Sequence, residues 1–419
     1  MDKSFHTENR RELYASLPDG ALLVMYSGEL LRQTADASYP FFANVNFRYL
    51  TGLAKENLIL LARRSGGETR ETVFIPRPDP MAERWTGTRL KADEVREISG
   101  IEDVAYTDGF ARTLQRLAGS GSYDTLWLDL DGQEPDEPVR TPARRMAAQA
   151  RESLPFLQIK NVHPRLSSLR TIKRPCEIEA MLRAMEITRE GILAMMRVSR
   201  PGISEREYKA EFDRVMTAHG VFTSSFPPII SAGANNFCIH YYGYTGTAQD
   251  GDMVLNDVGA NYDGLYNDVS RGWPCNGRFT ERQRLLYGCA YDTSEHMFSI
   301  IRPGIPMRGI DRMIKEYCGE LLVRRTGLIS STDNVGRLMW HGGAHHLGWD
   351  VHDEVELTPM DAAPIRAGMV FCVDVGIYCE EWGIGFRLED NCLVTEDGCV
   401  NLSAAIPRSI EEIEAAMAK

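Results

Sequence analysis

The chain reads as an α/β domain followed by an α+β domain with an internal duplication. Three observations lead there. In the first part, apolar strand-like runs alternate with helical patterns. Between residues 160 and 175 that alternation stops, and a long helical pattern starts at Pro175, a residue suited to a first helical turn. Further on, Arg200-Pro201-Gly202-Ile203-Ser204 is echoed 102 positions later by Arg302-Pro303-Gly304-Ile305-Pro306. Each copy follows a long helical stretch and precedes another helix, as in a duplicated half-domain.

Taken in order, residues 8–16 predict a short amphipathic helix. Residues 21–26, 57–62, 72–75 and 125–128 predict strands, and helices are expected near 90–98, 109–118 and 141–153. The boundary is placed so that residues 1–168 form the first domain and residues 169–419 the second. The long helix runs from Pro175 to about Val198. Ser204 and Glu207 form a capping box for the next one, and Ser409 to Lys419 reads as a short capped helix.

Bulk properties exclude several classes. The chain has 419 residues, enough for two or three domains at about 150 residues each. Its net charge of −12, from 47 basic and 59 acidic residues, argues against a nucleic-acid or anionic-membrane binder. The nine cysteines are an odd number without a Cys-x-x-Cys pair, as expected of reduced thiols in the cytoplasm. The first residues carry no apolar core of a signal peptide. No run of about 18 apolar residues is present to span a membrane.

The most informative stretch runs from Leu255 to Asp268. Apolar residues flank Asp263-Gly264, predicting two strands joined by a two-residue hairpin turn. In that register Gly259 lies opposite Asp268. Asp257 shares a face with Gly259, so the two carboxylates are diagonal neighbours, roughly 7–8 Å apart at the backbone. Such a like-charge pair calls for a cation, here one divalent metal or two. Two solvated aspartates on an edge hairpin are the alternative.

Four of the nine histidines, His341, His345, His346 and His352, fall within twelve residues. A glycine follows His341 where a helical zinc motif needs glutamate. Three glycines also disfavour a helix there, so an irregular or extended segment is expected. Residues 369–376 predict a strand ending in Asp374, a costly acid unless paired or metal-bound. Residues 383–391 alternate, with Arg387 and Glu389 on one face; taken alone they suit an ordinary ion pair. Asp257, Asp268, His345, Asp374 and Glu389 together form a hard, oxygen-rich set suited to a bridged pair of Mn²⁺, Zn²⁺, Co²⁺ or Fe²⁺ ions. Paired ions of this kind serve hydrolysis of amides or phosphate esters.

These motifs, with Ser38-Tyr39-Pro40-Phe41-Phe42-Ala43-Asn44 through Gly52, resemble the proline-specific metallopeptidases of the pita-bread fold: Xaa-Pro aminopeptidases, with prolidases close behind. The resemblance spans most of the chain. It implies a creatinase/prolidase-type N-terminal domain and a pita-bread catalytic domain with a pseudo-twofold duplication. It implies that Asp257 binds one metal, that Asp268 and Glu389 bridge, and that His345 binds the other metal, manganese being the expected ion. His240 and His352 match pocket histidines that contact substrate and steady the tetrahedral intermediate, while Asp374 or Glu389 accepts a proton. His341 matches a further pocket histidine and Trp85 a substrate-side tryptophan. Arg387 matches an arginine that orients the carboxylates. Core burial is the competing reading for His240, His352 and Trp85. Asp374-Val375-Gly376 departs from the family's Glu-Pro-Gly, and a side chain one methylene shorter puts second-metal occupancy in question. The implied function is an aminopeptidase removing the residue before proline. A dipeptide-specific prolidase and a metal-poor, non-catalytic binder are the alternatives. Partners implied are proline-containing peptides and other copies in a homodimer or homotetramer.

Overall fold

The computed structural model describes residues 1–130, 139–221, 223–353 and 363–418. The chain divides into two units, Met1–Leu169 and Arg170–Lys419.

The first unit is built on a six-stranded sheet in the order β4-β3-β2-β1-β5-β6. Its strands are β1 (Ala21–Tyr26), β2 (Ile59–Ser65), β3 (Glu68–Ile75), β4 (Val104–Tyr106), β5 (Thr125–Leu128) and β6 (Gln158–Asn161). β1 pairs antiparallel with β2 and parallel with β5. Around the sheet lie α1 (Lys3–Ala15), α2 (Val45–Thr51), α3 (Pro80–Thr86), α4 (Ala92–Ser99), α5 (Phe110–Ala118) and α6 (Pro142–Ser153); α7 (His163–Thr171) leads out of the unit. In α5, Phe110, Leu114 and Leu117 recur at helical spacing and are buried with Leu22, Val24, Leu126 and Leu128 of the central strands. Each such leucine is worth roughly 1.5–3 kcal/mol relative to exposure.

Several expectations need correction here. The first helix starts at Lys3 rather than residue 8, because Asp2 caps it by accepting from the Phe5 amide. The strand expected at 57–62 is shifted to Ile59–Ser65 and paired with Glu68–Ile75 through a tight turn. The helices α2 and α3 and the strands β4 and β6 were not anticipated. They are short, and β4 and β6 are not buried, so neither carries a clear apolar period.

The second unit opens with α8 (Pro175–Val198) and α9 (Glu205–Ala218). Pro175 occupies the first turn of α8, and Glu177 accepts from the Arg174 amide at 2.8 Å. Ser204 and Glu207 make the expected capping box at the start of α9. A three-stranded sheet follows in the order β11-β8-β7, from β7 (Ile229–Ala232), β8 (Met253–Val258) and β11 (Val269–Pro274). β9 (Asn261–Tyr262) and β10 (Leu265–Tyr266) form the hairpin tip between β8 and β11. The plan then repeats: α10 (Glu281–Ile300) and α11 (Met307–Thr326) precede a sheet in the order β12-β13-β14, from β12 (Val370–Cys379), β13 (Ile384–Val394) and β14 (Cys399–Asn401). The two proline–glycine turns that echo each other precede α9 and α11. The strands β8 and β11 of the first half pack against β13 of the second. The final helix α12 (Ile410–Met417) is capped by Ser409; Lys419 lies outside the described residues.

No helix among the described residues is long and apolar enough to cross a membrane.

Candidate metal centre

The Asp263-Gly264 turn forms as the sequence predicts. Both residues have positive φ, 53° and 92°, and Tyr262 pairs with Leu265, as a type I′ turn requires. The pairing of Val258 with Val269 keeps the same register, so Gly259 falls opposite Asp268 and Asp257 lies on the diagonal. A Cβ at Gly259 would sit 1.8 Å from the Asn267 carbonyl oxygen; only glycine permits this approach of the two strands.

The second pair of acids comes from β12 and β13, where Asp374 is directly opposite Glu389 and Gly376 opposite Arg387. β12 does not end at Asp374. It continues to Cys379 because Val375, Ile377 and Tyr378 remain fully buried, so the acid sits mid-strand. The histidine segment runs irregularly beside β12: the Asp374 amide donates to Gly343 O at 2.9 Å and the Cys372 amide to His345 O at 2.8 Å. This alignment puts His341 against Gly376 and His345 against Cys372. A Cβ at Gly376 would lie 2.2 Å from His341 Nε2, so the missing side chain is what admits the imidazole.

The four acids are almost wholly buried: Asp257 is 8% exposed, Asp268 5%, Asp374 7% and Glu389 3%. His345 Nε2 lies 3.3 Å from Glu389 Oε1 and 3.5 Å from Asp268 Oδ2. Glu389 Oε2 accepts from Ser270 Oγ at 2.8 Å. Arg387 donates to Asp257 Oδ2 at 2.8 Å, to Tyr378 Oη at 3.0 Å and to Ser270 Oγ at 3.3 Å. His341 joins Asp374 Oδ2 at 3.1 Å and Tyr378 Oη at 3.0 Å. One oxygen each of Asp257, Asp268 and Asp374 has no partner among the described residues. Buried carboxylate oxygens rarely stay unpaired.

The electrostatics follow from this crowding. Burial, with Glu389 and Asp257 nearby, pushes the Asp268 carboxyl well above the usual carboxylate range. Burial raises Asp257 as well, Arg387 partly countering it. Burial pulls His341 down, but Asp374 outweighs it and lifts the imidazolium to about 9. His345 is raised too, Glu389 outweighing burial. His352 is lowered to about 4 by burial and by the positive His345, on which its ring stacks at 4.1 Å between centroids.

The histidine segment is held from below by Asp353. Arg170 donates to its Oδ1 at 2.8 and 3.1 Å, Lys173 to its Oδ2 at 3.3 Å, and the Trp349 amide to Oδ2 at 3.2 Å. The Asp353 amide in turn bonds His346 O at 3.0 Å. Burial raises the Asp353 carboxyl, but Arg170 and Lys173 outweigh it and hold it down at about 2.

Of the residues singled out from sequence, Asp268, His345 and Glu389 converge most tightly. Asp257 and Asp374 flank them, held by Arg387 and His341. His240 is exposed and lies near Tyr242, ring centroids 6.4 Å apart. Neither His240 nor His352 is a core residue. Trp85, on α3 in the first unit, is 84% exposed, which removes core burial as its explanation. Sequence reasoning missed Ser270, Cys372, Tyr378 and the anchoring role of Asp353. Cys372 and Tyr378 stand two before and four after Asp374, so strand alternation alone puts them on its face. Ser270 stands two after Asp268 and opposite Asp257, so the same alternation places it on their face.

One ligand atom each from Asp268, His345, Cys372 and Glu389 falls within 4.8 Å of the other three, a group that could hold a metal ion. The unpartnered Asp268 oxygen fits such an ion, since it is a buried acceptor with no partner among the described residues, and Asp257 and Asp374 each leave another such oxygen nearby in the acid cluster.

Comparison with known proteins agrees with this geometry. Residues 179–396 match the model for metallopeptidase family M24, and residues 6–127 match that for the aminopeptidase P N-terminal domain. The chain belongs to metallopeptidase family M24. It is 30% identical to the Xaa-Pro aminopeptidase of Escherichia coli (strain K12), covering 97% of this chain and 96% of that one. A solved Bacillus anthracis structure, provisionally described as an aminopeptidase P, is 34% identical with a TM-score of 0.95, covering 100% of this chain and 98% of the other. A zinc-substituted E. coli aminopeptidase P in complex with product is 27% identical with a TM-score of 0.91, at the same coverage. The fold is therefore the pita-bread fold of aminopeptidase P preceded by its N-terminal domain.

Proposed function

We propose that the protein is a two-metal aminopeptidase that hydrolyses the bond between an N-terminal residue and a following proline. The observation that carries this reading is three buried aspartates, each with one oxygen unpartnered among the described residues, of which Asp268 stands with Glu389 beside His345. In this reading Asp257, Asp268, His345, Asp374 and Glu389 hold the ions, manganese being the expected metal. Bound divalent ions supply Lewis-acid charge that polarises the scissile carbonyl and acidifies the attacking water.

The chain's own groups do the rest. Glu389, steadied by Ser270, and Asp374, steadied by His341, stand opposite each other, and either carboxylate takes the proton of the attacking water. His352 stays neutral near pH 7, so a ring N–H is available to the developing oxyanion. His240, exposed at the surface, offers a second donor to substrate in this reading. Arg387 fixes Asp257, and through Ser270 and Tyr378 it braces the acids on both strand pairs. Self-association into a dimer or tetramer is what the family resemblance implies. A cytoplasmic location is supported by nine free cysteines.

The test is peptide hydrolysis by chelator-stripped protein titrated with Mn²⁺, Co²⁺ and Zn²⁺. A tripeptide with proline second and the matching dipeptide are compared. Ion-dependent cleavage of the tripeptide, lost in Asp268→Ala, is expected. Cleavage of the dipeptide alone would make the protein a prolidase. Full activity of Asp268→Ala would overturn the metal-centred reading.

A further inference from the structure

We propose that Cys372 is a sulfur ligand of the ion held by Asp268, His345 and Glu389, and that it biases this position toward thiophilic divalent ions over manganese. The inference rests on the metal centre proposed above and goes beyond it in the ligand set.

Cys372 stands on β12 two residues before Asp374, and alternation puts both side chains on one face. Its cross-strand partner is Asn391, two residues beyond Glu389. Its amide bonds the carbonyl of His345, which sets the two side chains next to each other. The sulfur is fully buried, as is usual for a cysteine, but its neighbours are not apolar. They are Asp268, Glu389 and His345, each with a ligand atom within 4.8 Å of it, and Asn391, whose amide donates to Sγ at 3.7 Å.

The nitrogen and oxygen atoms are spaced for a shared ion, and the sulfur lies within 4.8 Å of each of them. Tetrahedral ligand atoms at about 2.0–2.3 Å from a metal lie roughly 3.3–3.8 Å apart. His345 Nε2 is 3.3 Å from Glu389 and 3.5 Å from Asp268. Independently of the cysteine, Asp268 is 95% buried and keeps its Oδ1 without a partner among the described residues. Two carboxylates, one imidazole and one thiolate make a mixed site. Thiolate favours zinc, and imidazole suits zinc and iron, whereas manganese prefers an all-oxygen environment. When the ion binds, a sulfur lone pair forms the new bond and the sulfhydryl proton leaves to water.

The experiment is cobalt substitution of the full-length protein, read by absorption. Co²⁺ bound through sulfur shows an intense sulfur-to-cobalt charge-transfer band in the near ultraviolet, beside the weaker visible bands of any bound Co²⁺. The expected result is that band in the wild type and its loss in Cys372→Ser, with the visible bands kept. Cys372→Ser should also lower the Zn²⁺-over-Mn²⁺ affinity ratio about tenfold, the low end of what losing a metal-site partner costs. Visible bands without charge transfer in the wild type would overturn the sulfur ligand and leave the metal centre standing. Charge transfer that persists in Cys372→Ser would place the sulfur elsewhere and also overturn it. Failure of the wild type to bind Co²⁺ at all would overturn the metal centre itself. If Cys372→Ser does not fold, the wild-type spectrum and competition of Zn²⁺ against Mn²⁺ still decide the question.

Discussion

Replacing Asp353 by asparagine removes a buried carboxylate bonded to both Arg170 and Lys173. Arg170, Lys173 and Asp353 are all buried, with side-chain exposures of 5%, 1% and 1%. Asparagine keeps the shape but takes away the charge that balances two cations. Breaking a buried pair in this way costs about 3–5 kcal/mol. For a unit of this size each kcal/mol moves the midpoint by about 2–4 °C, so a drop on the order of 10 °C is expected. The wild-type pH profile offers a second measure. The folded carboxyl sits at about 2 against 3.8 in the unfolded chain. Its contribution is therefore present above about pH 4 and lost as pH falls toward 2, an acid-labile term of about 2 kcal/mol. That figure is smaller than the mutational loss because it is net of burying the carboxylate, whereas the variant keeps both cations buried and removes the negative charge facing them. Differential scanning calorimetry of wild type and Asp353→Asn, at pH 7 and at pH 3, checks both. A variant that melts within about 1 °C of wild type at pH 7 would refute the reasoning.

Three further outcomes are expected. Gly376→Ala puts a methyl group where His341 Nε2 now lies, 2.2 Å from the new carbon, so His341 and Asp374 must move. A shift near 1 Å lowers kcat/KM on a Xaa-Pro tripeptide by about a hundredfold, and an unchanged value would remove His341 from the site. Asp257 and Asp268 have raised carboxyls in metal-free protein, so that protein loses stability as pH rises above 3.8 through their folded values. Divalent ions restore it, and the gap in melting temperature between loaded and chelated protein should widen from pH 5 to pH 8; a gap that closes would contradict the carboxylate assignment. The family resemblance implies a substrate-side role for Trp85, and its 84% exposure rules out a core role, so Trp85→Ala should raise KM while stability stays within about 0.5 kcal/mol, as for other exposed sites. A large loss on melting would assign it a structural role instead.

Much of the site was legible in the sequence because it depends on local rules. The Asp263-Gly264 turn fixes its own register, and that register alone placed Asp257 and Asp268 on a shared diagonal. Strand alternation put Arg387 beside Glu389, and glycines told the histidine segment not to be a helix. Capping chemistry at Ser204, Pro175 and Ser409 marked helix starts that the structure repeats. Pairings between distant segments were decided by tertiary structure. The β12–β13 hairpin sets Asp374 opposite Glu389 mid-strand, but no periodicity could say that Ser270 reaches Glu389 or that Asp353 draws Arg170 and Lys173 into a buried cluster, since these join residues that are neighbours only in the packed second unit. The sulfur of Cys372 is the clearest case. As a letter in an apolar run it is an ordinary buried cysteine, and only the packing of β11 against β13, with the histidine segment laid along β12, surrounds it with ligands.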